Sequence, residues 1–461
     1  MKIFKSKHKK LAIGTSITLG SLLIIYLGIS IYFTNHFSFG TSINCINVGG
    51  KTVDEVNKEI TSNIKSYTLV LEERDDIKEK LIWKDIGLKY NGDDKVQSLK
   101  ENENPFYWIT GLFNKKKFNM PEIISFDEEL LKKAVNNLSC FNDSNLIEPQ
   151  NASLKYTEDG YEIVESISGN KVNKDVLYNH IKKAISTGET IINLESIDCY
   201  EKPQYTSNSK EIIDAKDILN KYISSKITYT FGEHKEVLDG SKINDWLKVD
   251  KDFKVAVDEE AVKNYMNALS RNYDTYGGTR NFTSSSGTAI AVSGGNYGWL
   301  IDSDKESEYL IGAIKKGTVT TKEPAYAQVA LYRGDNDIGN TYVEINLTKQ
   351  HLWFYKNGNL IVDGDIVTGN ANSKYSTPPG TYQLVYKERN ATLTGPNYAT
   401  PVAFWMPFNG DIGIHDATWR ATFGGNIYQS DGSHGCVNAP YNLAESIFSN
   451  IDAGAPVICY F

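Results

Sequence analysis

The run from Leu11 to Phe33, LAIGTSITLGSLLIIYLGISIYF, contains no charged residue. A helix rises about 1.5 Å per residue and a bilayer core is about 30 Å thick, so such a segment reaches across it. This feature divides the chain between two compartments before any other fold question arises. Lys2, Lys5, Lys7, Lys9 and Lys10 precede the run. Basic residues stay on the cytoplasmic side, which predicts a cytoplasmic tail at 1–10, a transmembrane signal anchor at 11–33 and an extracytoplasmic remainder. A cleaved secretory signal would have an apolar region of only about 7–15 residues and a small-residue cleavage site. No clear site of that kind follows the run, so the expectation is a single-pass protein of the cell membrane.

The chain has 461 residues, more than one hydrophobic core usually serves, and two to four domains are expected. Without the five leading lysines, the part outside the membrane carries a net charge of roughly −13, which repels polyanions. Nucleic acid is therefore not an expected partner. The five cysteines, Cys45, Cys140, Cys199, Cys436 and Cys459, are too few and too scattered for a disulfide scaffold, and their odd number leaves a free thiol. Cys45, Cys140, Cys199 and Cys459 lie in apolar or helical contexts and read as core thiols.

Between about 40 and 335 the sequence repeats itself. SFDEELLKKAVNNL at 125–138 parallels AVDEEAVKNYMNAL at 256–269, and DGYEIVESISGNKV at 159–172 parallels GNYGWLIDSDKESE at 295–308. Helix patterns follow, ending AISTG and AIKKG. The acidic openings suit helix N-termini, and each copy reads strand, helix, strand hairpin, helix. The region, especially YDTYGGTRNFTSSSGTAIAVSGGNYGWLID at 273–302, resembles the peptidoglycan-binding repeat that precedes transpeptidase domains in Gram-positive bacteria. The resemblance implies two α+β repeat domains, at 40–205 and 210–335, that grip glycan or act as spacers. Tyr297 and Trp299 are placed to stack on sugars or, at their period-two spacing, to face a core.

From Thr341 the pattern becomes β. TYVEINLTKQHLWFYKNGNLIVDGDIVTG alternates apolar and polar residues, and Asn357-Gly358 marks a hairpin turn. TPPGT at 377–381 turns into a strand expected over YQLVYKE, Pro440 to Asn450 forms a helix, and APVICYF closes the sheet. Within this domain lies SDGSHGCVNAP at 430–440, with His415 upstream in GIHDATW. A thiol is mostly protonated at neutral pH and needs a neighbouring base to become a nucleophile. His415 or His434 could supply one, and Gly435 would let backbone donors approach a bound carbonyl. The same residue types also suit zinc, with His434 and Cys436 chelating from one strand face, while a buried core thiol is the commonest fate of a cysteine. A papain-like arrangement needs a later histidine, and the residues after Cys436 contain none.

IHDATW and SHGCVN, preceded by TPPGTY, resemble the active-site signature of the L,D-transpeptidase family, whose catalytic domain is called YkuD-like. The resemblance covers the last quarter of the chain and implies a mostly-β catalytic domain at 340–461. It makes Cys436 the nucleophile and His415 the general base and acid. Asp416 would orient the imidazole through its carboxylate or, as in members with glycine or serine there, through its backbone carbonyl. Ser433, His434 and Gly435 would shape the acyl pocket and oxyanion hole, and Asn438 occupies the motif position two residues after the cysteine. The implied reaction is peptidoglycan cross-linking on stem peptides, without metal or organic cofactor. Catalytically weak wall-binding scaffolding, or the same chemistry with water, a D-amino acid or a protein amine as acceptor, are the alternatives.

Overall fold

In the computed structural model, residues 2–142, 144, 146–334, 336–395 and 398–461 are described. The side chains of Lys2, Lys5, Lys7 and Lys10, four of the five lysines ahead of the apolar run, lie outside the described residues. Helix α1 runs over Lys2–Asn35, and its stretch Leu11–Asn35 has a mean hydropathy of 1.9, long and apolar enough to cross a membrane. The chain forms two compact units, Met1–Ser153 with Ile163–Ser209, and Leu154–Glu162 with Lys210–Phe461.

In the first unit, helix α2 (Val53–Ser66) opens with a capping box in which Thr52 and Glu55 satisfy each other's backbone N–H groups. Strands β1 (Thr68–Glu72) and β2 (Lys78–Ile82) form a hairpin. Helix α3 (Glu128–Asn136) begins where Asp127 accepts hydrogen bonds from the backbone N–H groups of Glu129 and Leu130. Strands β3 (Ser153–Thr157) and β4 (Gly160–Val164) pair in a hairpin whose Leu154–Glu162 belongs to the second unit, whereas helix α4 (Lys174–Thr187) of the first unit ends on the left-handed Gly188 and β5 (Ile191–Asn193) joins β1 in parallel. Leu69, Leu71, Leu131, Leu177 and Ile181 meet in one core.

The second unit repeats the plan. Helix α5 (Lys210–Ile223) leads to the hairpin β6 (Lys226–Phe231) and β7 (His234–Leu238). Asp258 caps α6 (Glu259–Tyr273) as Asp127 caps α3. The hairpin β8 (Arg280–Thr283) and β9 (Ala289–Val292) follows, α7 (Ser303–Lys316) ends on the left-handed Gly317, and β10 (Val319–Lys322) joins β6 in parallel. The acidic openings and terminal glycines read from the sequence thus cap the helices of both copies. From the β3–β4 hairpin, Leu154–Glu162 belongs to the second unit, where Asn220 accepts the Tyr161 N–H and Tyr161 OH donates to Asn244.

The last part of this unit is two facing sheets. Strands β11 (Tyr342–Asn346), β12 (His351–Lys356), β13 (Asn359–Asp365) and β14 (Gly380–Gln383) belong to the first; β15 (Glu388–Gly395), β16 (Tyr398–Asn409), β17 (Ile412–Asp416) and β18 (Val437–Ala439) form the second. Helix α8 (Tyr441–Asn450) and strand β19 (Pro456–Tyr460) complete it. The sheet orders are β13-β12-β11-β19-β14 and β15-β16-β17-β18, with β11/β19 and β17/β18 parallel. Phe354, Phe404, Met406, Phe408, Ile414, Val437 and Ile447 fill the space between the layers. Asn357 and Gly358 have φ of 51° and 79°, the left-handed pair that a tight hairpin with the right twist requires. The strand expected over YQLVYKE is shorter: β14 ends at Gln383, and Leu384 and Val385 donate individually to Ala455 and Pro407 before β15 begins.

The repeat and this domain are joined within one unit. Thr381 on the β14 edge donates to Gly294 O and accepts from Tyr297 N, extending the sheet by one short segment. Phe282 and Val292 pack with Ile338, Ile458 and Tyr460. Tyr297 is fully buried, donates to Asp337 O and accepts from Leu331 N. Of the two readings for this side chain, the core one holds. Trp299 is half-buried, with the Arg333 guanidinium 4.4 Å from its ring.

Cys199 and Cys459 are core thiols as expected, Cys140 is partly buried, and Cys45 is exposed, which corrects its reading as a core thiol. Cys45 has φ of 68° in the turn between two short strands, and there its side chain is left exposed while its neighbour Asn44 is buried against Met120.

Candidate active site

Parallel pairing of β17 with β18 places His415 opposite Asn438 and leaves Cys436 at the entry to β18. His415, Cys436, Asn438, Ser433 and His434 line one cavity of about 270 Å³, together with Leu393, Tyr398, Thr400, Trp419, Arg420 and Gly432. A cavity of about 360 Å³ in the first unit is lined mainly by apolar side chains and holds no comparable set of nucleophile and base.

His415 is 3% exposed, with Trp405 and Trp419 rings 6.0 and 5.9 Å away. Its Nδ1 is 2.8 Å from the backbone carbonyl of Asp416. A carbonyl only accepts, so Nδ1 carries the proton and Nε2 is the basic nitrogen. Burial holds the imidazole below its ordinary pKa, and the nearby Arg420 charge adds to this, while the Asp416 carbonyl opposes it. The Asp416 carboxylate accepts the backbone N–H of Phe404 at 2.9 Å. Between the two expected ways for Asp416 to orient the ring, the structure shows the backbone one.

Burial pushes the Cys436 thiol up to about 11, the Asp411 charge adds to this, and a backbone hydrogen bond from Gly413 acts against it. Its Sγ lies 3.4 Å from Asp411 O. Burial thus disfavours the ionised form of both the Cys436 thiol and the His415 imidazole.

The turn ahead of the cysteine is fixed by its own polar groups. Ser433 Oγ donates to Cys436 O at 2.5 Å and accepts the Gly435 N–H at 3.0 Å. Gly435 has φ of 122°, a conformation that favours glycine. The Thr377 hydroxyl donates to Gly435 O and accepts the Gly369 N–H. Thr377 received no role in the sequence reading, although TPPGTY was the signal that carried it. The His434 ring is 4.5 Å from that of Tyr375 and 5.3 Å from that of Tyr398. Asn438 is 2% exposed, and its side-chain oxygen has no hydrogen-bond partner.

The donor atoms around Cys436 do not gather as metal ligands do. Among the described residues, a group of three such side chains forms only at Glu73, Glu79 and Cys140, in the first unit. There, burial and the neighbouring Glu79 push Glu73 up to about 7.

Residues 340–459 match the family described as "L,D-transpeptidase catalytic domain", and residues 80–193 and 205–321 match "Putative peptidoglycan binding domain". A cysteine-to-serine mutant of an Enterococcus faecium L,D-transpeptidase is 33% identical over 54% of this chain and 100% of its own, with a TM-score of 0.45. The chain belongs to the L,D-transpeptidase family. The catalytic domain of an E. faecium L,D-transpeptidase, acylated by ertapenem, is 38% identical over 26% of this chain and 98% of its own, TM-score 0.25. An L,D-transpeptidase from Stackebrandtia nassauensis is 29% identical over 26% of this chain and 56% of its own, TM-score 0.23. A search of curated proteins found no match. As a member of this family, the chain is a multidomain protein with an apolar N-terminal helix, peptidoglycan-binding domains in the middle and a mostly-strand catalytic domain at the C-terminus.

Proposed function

We propose that this transpeptidase is anchored by α1 in the cell membrane, faces the cell wall, and cross-links peptidoglycan through an acyl-enzyme on Cys436. The observation that carries the reading is the His415 ring, whose Nδ1 is committed to Asp416 O while the ring lines the same cavity as Cys436. That leaves Nε2 to act as base.

The donor is a tetrapeptide stem, cleaved after the L-centre of a diamino acid, commonly meso-diaminopimelate. As sulfur attacks the carbonyl carbon, Nε2 takes the thiol proton, so the thiolate forms in step with attack. Donors at the cavity wall hold the oxyanion, with Ser433, His434 and Gly435 shaping that wall. The imidazolium then protonates the departing nitrogen, the C–N bond breaks, and D-alanine leaves a thioester on Cys436. An amine of a neighbouring stem attacks the thioester, gives its proton to His415 and restores the thiol, which joins the third residues of two stems. The buried oxygen of Asn438 is suited to accept an N–H of the bound donor, since an unpaired buried acceptor costs about 1–3 kcal/mol.

An E. faecium relative acylated by ertapenem supports a covalent intermediate. The test uses the full-length protein in detergent micelles with purified disaccharide-tetrapeptide. Release of D-alanine with dimer formation, lost in Cys436→Ala and His415→Ala, is the expected result; binding without turnover contradicts it and favours a wall-binding scaffold.

A further inference from the structure

Among the described residues lining the catalytic cavity, one carries a permanent positive charge, Arg420, and the chemistry above gives it no task. Its side chain is 11% exposed. Nη1 donates to Asp431 at 3.0 Å, and that carboxylate is itself 81% exposed. Nε is buried and has no hydrogen-bond partner. A guanidinium N–H kept from water without an acceptor is destabilising, so the neighbours of Arg420 leave part of its donor capacity unused.

The position of this cation names the acceptor. Arg420 closes the turn that leaves β17, donating its backbone N–H to Ala417 O at 3.0 Å, and Trp419 of the same turn stacks on His415. The charge is felt by the imidazole. It therefore sits on the base side of the cavity, where the departing and arriving amines exchange protons with His415.

We propose that Arg420 is a specificity-determining residue that recognises an α-carboxylate borne by the carbon next to the reacting amine. The inference rests on the acyl-enzyme reading. In an α-amino acid the carboxyl carbon is two bonds from the nitrogen, so a guanidinium flanking the base meets the carboxylate when the nitrogen meets the imidazole. The leaving group, D-alanine, has this form. The acceptor amine enters where D-alanine left, and the D-centre of meso-diaminopimelate presents the same pattern of amine, carbon and carboxylate. The side-chain amine of lysine does not, because its carbon bears no carboxylate. The same guanidinium thus selects both the donor terminus and the class of acceptor.

The test compares full-length wild type, Arg420→Gln and Arg420→Lys in detergent, using stems that end in D-alanine or in D-alaninamide as donors, and D-alanine or D-alaninamide as acceptors. A charge-assisted hydrogen bond corresponds to a preference of roughly 10- to 100-fold in kcat/KM for the carboxylate forms in wild type. Arg420→Gln is expected to bring the acid-to-amide ratio close to one for donor and acceptor alike, with Arg420→Lys between. A wild-type ratio near one overturns the inference, as does a ratio that persists in Arg420→Gln. The wild-type ratio needs no variant, so poor folding of a substituted chain does not spoil the test. If wild type releases neither D-alanine nor D-alaninamide, and matches Cys436→Ala, the acyl-enzyme reading itself fails and this inference falls with it.

Discussion

At the scale of single residues, the pair His415 and Cys436 is held apart in charge by burial, which disfavours the ionised form of each. A preformed ion pair would alkylate fast at neutral pH. Here the rate of Cys436 alkylation by iodoacetamide is expected to keep climbing with pH toward about 11, and an inflection near 7 would contradict the neutral pair. The depressed pKa of His415 also ties stability to pH. Below the ordinary value of about 6.5 the unfolded chain binds a proton that the folded chain refuses, so stability falls as pH falls through that range. Mutating His415→Gln should flatten this part of a melting-temperature profile. Asp416 divides its work: the backbone carbonyl orients the ring, and the carboxylate secures β16. Asp416→Ala is expected to lose about 1–3 kcal/mol of stability, because it strands the Phe404 N–H, while the pH dependence of acylation keeps its shape. Denaturant melts and pH-rate profiles of the pair separate the two effects.

Among elements, the turn ahead of β18 depends on a hydroxyl that lies far from it in sequence. Thr377 ties Gly369 N–H to Gly435 O, and it is 3% exposed. Thr377→Val keeps the shape but leaves both backbone groups unpaired. The expected outcome is a loss of about 1–3 kcal/mol and a fall in acylation rate larger than the stability loss explains, measured by urea melts beside stopped-flow acylation. Thr377→Ser should recover most of both. Local signals of this kind were readable where chemistry and position coincide. Asn357-Gly358 needs left-handed φ values, and Asp127, Asp258, Gly188 and Gly317 cap helices wherever they fall. Residues in YQLVYKE carry a strand pattern too, yet the chain leaves the ladder after Gln383, a choice made by partners at Ala455 and Pro407 that no local pattern reveals.

Across the whole molecule, the repeat pattern announced two copies of one plan, and both copies do build a hairpin with a third, parallel strand. The sequence could not show that Leu154–Glu162 belongs to the second unit, because Tyr161 finds Asn220 and Asn244 only through the tertiary fold. For the same reason, period-two spacing left Tyr297 open between sugar and core; its hydroxyl lies between Asp337 and Leu331 in the interior. The motif residues His415, Cys436 and Asn438 were legible, whereas Arg420 and Thr377 take their meaning from the cavity and turn around them. The second repeat also braces the catalytic sheet. Glu344 is fully buried, accepting from Ser285 and Tyr460. Glu344→Ala should lower the melting temperature of the full chain, since the remaining donors lose their acceptor, and an unchanged melt would show that the junction contributes little.

The acylated form of Cys436 is the intermediate on which everything proposed for this site depends. Intact-protein mass spectrometry of the full-length chain, quenched soon after mixing with disaccharide-tetrapeptide or with a carbapenem, detects it directly. The proposed chemistry predicts one adduct, carried by the peptide that contains Cys436 and missing in Cys436→Ala. An active wild-type enzyme that shows no adduct under rapid quench, or an adduct that survives Cys436→Ala, would contradict it.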